Sequence, residues 1–166
     1  MVFGTSHALQ GAQNYPGTSV DSPAYSKLLV QLISNRGIDF IFEEACGKGP
    51  TIASKVAGSI PYLDVDPGPE KYRQHDIPEE SGSLGIQIDP DDARMSNDFY
   101  AWEYTRVQAL REDFWLRMIQ AQQFRSGLMI CGYLHLLSFA SRLALAKFDV
   151  ESLYYMPHHR LCMHKT

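Results

Sequence analysis

GLMICGYLH, residues 127–135, carries the reading of the fold. Leu128, Met129, Ile130 and Cys131 make a short unbroken apolar run, too brief for an ordinary helix and suited to a strand covered on both faces. Gly132 stops the run, and His135 follows in a G-x-x-H spacing. The same arrangement opens the chain. In MVFGTSH, residues 1–7, a short apolar strand halts at Gly4 and His7 follows at the same distance. Glycine at the end of a buried strand permits a sharp turn and a close approach, which would direct each histidine over the edge of a sheet.

Outward from these two runs, strand and helix signals alternate. Leu28, Leu29, Leu32 and Ile33 recur at helical spacing over residues 24–35, after a helix start at Ser22-Pro23 and before Gly37 as C-cap. Residues 38–42 and 61–65 read as strands, with a short helix over 50–57 between them. Residues 66–95 are rich in Pro, Gly, Asp and Glu and lack periodicity, so they read as a long loop or flap. Ser96 then caps a long helix in which Phe99, Trp102, Val107, Leu110, Phe114, Met118 and Ile119 repeat at three and four. A helix over 136–146 and a last strand over 150–155 complete the pattern. Such alternation implies an α/β domain with a mainly parallel central sheet and helices on both faces. Its cleft is expected at the carboxyl ends of the strands, where open parallel sheets bind ligands.

Composition limits the function classes. With 166 residues the chain suits a single domain, 1–166, and its 45% apolar and 20% charged content is that of a soluble globular protein. A formal charge of -4 gives no basic footprint for nucleic acid. The most apolar region, 127–145, is interrupted by His135, Ser138, Ser141 and Arg142, which argues against a membrane span. The start has no basic region or cleavage site of a signal peptide. Three irregularly spaced cysteines, Cys46, Cys131 and Cys162, fit reduced thiols and a cytoplasmic location. Cys46 and Cys131 end apolar strands and read as buried small hydrophobes. The tail HHRLCMH, with His158, His159, Cys162 and His164, matches no closed zinc spacing and reads as a surface tail.

Polar residues collect where the strands should end: His7 after the first, Glu43 and Glu44 after the second, Asp64 and Asp66 after the third, His135 after the fourth. Imidazole and carboxylate can hold Zn, Mn or Co with a position left for water. Such an ion lowers the pKa of its bound water to ~7 and makes a nucleophile. On this reading His7, His135 and Glu43 are metal ligands or water-orienting groups, Glu44 is a general base or supports the ligands from behind, and Arg111 is an anion or oxyanion partner. Asp64 and Asp66 are possible additions. Side chains alternate along a strand, so which glutamate faces the cleft stays open. Without a metal, a histidine paired with a carboxylate can activate water directly.

The paired G-x-x-H motifs, the Glu-rich end of the second strand and REDFWLRMI (residues 111–119) ahead of GLMICGYLH resemble the Tiki/TraB/GumN superfamily, with its wider ChaN-like and erythromycin esterase relatives. His7, Glu43 or Glu44, Arg111 with Ile119, and His135 stand at the matching positions. The chain departs from the pattern at Glu112, where Asp or Asn is usual, and at Trp115, where Met is common. The resemblance implies a hydrolase of the metallopeptidase or esterase kind acting on a small-molecule or peptide substrate. The alternative is a non-catalytic protein holding a small ligand or haem in the same cleft. Leu136, Leu137 and Phe139 are open to either the core or a homodimer interface.

Overall fold

The computed structural model describes residues 1–5, 22–45, 50–66, 68–75, 77, 93–156 and 159–165. Apolar runs become the strands β1 (Val2–Thr5), β2 (Phe40–Glu43), β3 (Tyr62–Asp64), β4 (Gly127–Gly132) and β5 (Glu151–Met156). These lie parallel in the spatial order β3-β2-β4-β1-β5, and β6 (His159–Lys165) adds an antiparallel edge beside β5. The expected α/β class with a mainly parallel sheet is the observed one. Between the strands run α1 (Ser22–Arg36), α2 (Ile52–Ala57), α3 (Pro69–Gln74), α4 (Ala93–Gln120) and α5 (Leu136–Leu145), with a 3-10 turn, Tyr133–His135, leading into α5.

Local chemistry sets the helix ends. Gly37, at φ 58, takes the left-handed conformation that closes α1. Its N–H donates to Ser34 O, and Ile38 N donates to Ile33 O, the paired bonds of a Schellman cap. Thr51 caps α2 by accepting from Ser54 N at 3.0 Å.

Alternation along the strands divides the core into two sets. Val2, Phe40, Phe42, Met129 and Cys131 pack with Phe114, Trp115 and Ile119 of α4 and with Leu136, Phe139 and Leu143 of α5. Phe3, Ile41, Leu128, Ile130 and Leu153 pack with Tyr25, Leu29 and Leu32 of α1 and with Ile52, Ala53 and Ala57 of α2. Leu136 and Phe139 therefore belong to the core, whereas Leu137 is 61% exposed.

Strand order places the crevice. β2 leads to β3 at one edge of the sheet, while its hydrogen-bonded neighbour β4 leads across β1 to β5 in the other direction. Neighbouring strands whose connections diverge leave a crevice at their carboxyl ends. Glu43 and Glu44 end one of these strands, and Gly132 to His135 follow the other.

Three expectations need correction. Residues 66–95 are not loop throughout: Pro69–Gln74 is helical and α4 begins at Ala93, ahead of Ser96, while 78–92 lie outside the described residues. The tail is not free surface, since 159–165 pair with β5. Nor does Gly4 make the expected sharp turn, although the expected close approach is there. Gly4 lies inside β1, where an added Cβ would stand 3.0 Å from Leu136 Cδ2, and Gly132 has an ordinary φ of -57. Gly4 is small because α5 packs onto it.

Candidate functional site

The site begins with the last residues of β2. Glu44 N donates to Ile130 O at 2.9 Å, which carries the ladder one residue past the strand. Because Phe42 faces α4 and α5, Glu44 faces them too. Its Oε2 accepts from Gly132 N at 2.7 Å, and its Oε1 accepts from Arg111 Nη2 at 2.9 Å. The glutamate thus ties the ends of β2 and β4 to α4.

Arg111 is buried and shared between two acids. Besides Glu44, its Nη2 donates to Asp66 Oδ2. Its Nε donates to Tyr72 Oη at 3.4 Å, and Trp115 Nε1 donates to the same oxygen at 3.0 Å. The guanidinium carbon lies 5.4 Å from the Trp115 ring centre, within cation–π range. Burial alone would lower the pKa of Arg111, but Asp66 and Glu44 outweigh it and raise it, so the group stays charged.

His135 joins this cluster to a second one. Its Nε2 is 3.6 Å from Glu44 Oε1, and its Nδ1 is 2.8 Å from Glu112 Oε1. Ser138 Oγ donates to Glu112 Oε1 at 2.6 Å and Arg142 Nε to Glu112 Oε2 at 2.8 Å, while Arg142 Nη1 reaches Asp113. Burial would raise the Glu112 carboxyl, but hydrogen bonds from His135, Ser138 and Arg142 outweigh it and hold it below its ordinary range. An ionised carboxylate only accepts, so Nδ1 carries the imidazole proton and Nε2 is the nitrogen turned to Glu44. The Trp115 ring stands edge-on to the imidazole at 4.7 Å and fixes its plane. A recess of about 230 Å³ opens beside this pair, lined by Gln108, Glu112, Leu134, His135, Ser138 and Arg142 among others. Another recess, of about 260 Å³, lies at the amino ends of the strands near Met1, Phe124 and Phe148, and shares none of these groups.

Glu43 faces the other way. Its Oε2 accepts from Thr51 Oγ1 at 2.5 Å and from Tyr62 Oη at 2.7 Å, while Oε1 is buried with no hydrogen-bond partner. Burial pushes its pKa from 4.5 up to about 7, against the lowering effect of the two hydroxyls. Asp64 holds the strand ends, its Oδ1 accepting from Ala45 N and Asp66 N, each at 3.0 Å.

The fold therefore gathers Glu44, Asp66, Arg111 and His135 on one side of the sheet. Glu43 is on the other, and Asp64 engages the backbone between β2 and β3. His7 and Cys46 lie outside the described residues, and Cys131 is a buried thiol whose pKa burial raises. Sequence reasoning missed Tyr72, Ser138, Arg142, Thr51 and Tyr62. Ser138 and Arg142 had a usable signal, since they follow His135 at three and seven and so share its helix face. Tyr72 had none, lying in a stretch without periodicity.

Of the expected metal ligands, His7 lies outside the described residues, and His135 and Glu43 face opposite sides of the sheet. The guanidinium of Arg111 lies between Glu44 and Asp66, and His135 Nδ1 is bonded to Glu112. No group of three His, Cys, Asp or Glu suited to a metal occurs among the described residues. No helix among them is long and apolar enough to cross a membrane. Comparison of the chain with protein-family models, with curated proteins and with solved structures gave no match.

Proposed function

We propose that the chain is a hydrolase in which His135, oriented by Glu112, is the base that activates water against an ester, amide or peptide bond. One observation supports this above the rest: a buried carboxylate fixes Nδ1 while Nε2 is held at the crevice between β2 and β4. In such a pair the carboxylate sets the tautomer and stabilises the imidazolium that forms. Nε2 takes a proton from water, the hydroxide adds to the substrate carbonyl carbon, and the imidazolium returns the proton to the leaving group as the bond breaks. Arg111 acts here by neutralising Glu44, which stands 3.6 Å from the imidazole, and Asp66 behind it. The resemblance to the erythromycin esterase relatives agrees with this metal-independent reading.

The test is turnover of a panel of p-nitrophenyl esters and amino-acid anilides by wild type, His135→Gln and Glu112→Gln, with chelator and with added Mn, Co or Zn. Wild type is expected to hydrolyse at least one substrate in the presence of chelator. His135→Gln should lose about 100-fold or more of kcat, as removal of a general base does. Unchanged turnover in His135→Gln, or no hydrolysis by wild type under any condition, removes the proposal and leaves a ligand-binding role for the crevice.

A further inference from the structure

We propose that the α1-facing side of the sheet, at its carboxyl edge, binds an uncharged hydroxyl-rich ligand of sugar-ring size through Thr5, Tyr25 and Glu43. The three are fully buried, and each presents an oxygen without a hydrogen-bond partner: Thr5 Oγ1, Tyr25 Oη and Glu43 Oε1. Buried polar atoms are seldom left so, and three on one side of a sheet point to a common partner. Alternation puts them there: Phe3 and Ile41 face α1, so Thr5 and Glu43, two residues further along the same strands, do as well. Tyr25 packs in the same cluster, its ring 6.2 Å from Phe3 and 6.1 Å from Tyr155.

Between the strands of Thr5 and Glu43 runs β4, whose residue level with Thr5 is Gly132. On the same face β4 carries Ile130 level with Glu43 and Phe3, so the place without a side chain is the one over Gly132, beside Thr5 and diagonal to Glu43. Two strand spacings and a two-residue offset put Thr5 and Glu43 roughly 12 Å apart. A single sugar ring with its substituents, set over Gly132, would reach both side chains. Glu43 is held for the purpose: Thr51 and Tyr62 both donate to Oε2, so any proton on the carboxyl sits on Oε1, the free oxygen. Close to neutral pH that oxygen can donate or accept. The phenol of Tyr25 and the hydroxyl of Thr5 also do both. Such groups match the vicinal hydroxyls of a sugar, whose C–H face suits the stacked rings of Phe3, Tyr25 and Tyr155. A cation would find a single carboxyl with one oxygen already used, and an anion would find Glu43.

The experiment is titration of the full chain with D-ribose, D-glucose and N-acetyl-D-glucosamine, read by calorimetry and by backbone amide shifts. At least one sugar should bind saturably with shifts centred on β1, β2 and α1. Tyr25→Phe, Thr5→Val and Glu43→Gln should each weaken it about tenfold while leaving thermal stability equal or higher, because each removes or satisfies a buried group that has no partner. Failure of all three sugars to saturate, shifts centred on the recess beside His135, or undiminished affinity in all three variants overturns the proposal. The hydrolase reading is judged separately, by turnover through His135.

Discussion

Glu43 and Glu44 are adjacent, chemically identical and placed in opposite roles by nothing but the parity of one strand. Glu44 finds Arg111 and a backbone N–H, whereas Glu43 finds two hydroxyls and no charge. The difference is measurable. Glu43 titrates near 4.5 when unfolded and near 7 when folded, so the native state binds the extra proton between those values. Its stabilising share is full below pH 4.5 and lost as pH rises through about 7, a swing of about 3 kcal/mol. Urea unfolding of wild type should show stability falling over that window, and Glu43→Gln, which imitates the protonated form, should flatten the fall. An unchanged slope in the variant would show that Glu43 is not the titrating group. Arg111 is the reverse case, a buried cation that two acids require. Arg111→Met leaves Glu44 and Asp66 facing each other in the core and should cost about 3–5 kcal/mol in the same assay. A cost under about 1 kcal/mol, the range of an exposed pair, would contradict the burial.

At the scale of elements, β1, β4 and α5 are locked together through a missing side chain. Gly4 pairs with Cys131 across the ladder and takes Leu136 of α5 against its Cα. Gly4→Ala must push that leucine, and with it the turn holding His135; about 1–3 kcal/mol of stability should be lost. The imidazole shift of His135 in an NMR spectrum should move in the same variant. A silent substitution would mean that α5 has room to give. The spacing of His135, Ser138 and Arg142 along the turn and α5 was legible as one helix face, but its partner Glu112 was not. Glu112 sits beside Arg111 in the sequence, and on one helix such neighbours point to different surroundings. Here Arg111 turns to β2 and β3 and Glu112 to α5. The edge strand β6 was read as tail because its histidines and cysteine hid a strand that exists by pairing with β5.

For the whole molecule, parallel strands buried in the middle of the sheet hold the least accessible backbone. Amide exchange should be slower in β2, β4, β1 and β5, which have partners on both sides, than in β3, a three-residue edge strand of half-buried residues. Uniform exchange across the sheet would argue against this order. By itself the sequence determined the strand and helix alternation, the mainly parallel class and the gathering of acids and His135 at strand ends, because apolar run length and helical period are local properties of a chain. Which glutamate meets Arg111, that Glu43 and His135 face opposite sides of the sheet, and that Glu112 orients His135 were decided only by tertiary structure. Those outcomes depend on where each strand stops relative to its neighbours and on which residues of α4 are turned toward the sheet. A shift of one position would exchange every partner, and no local pattern encodes it.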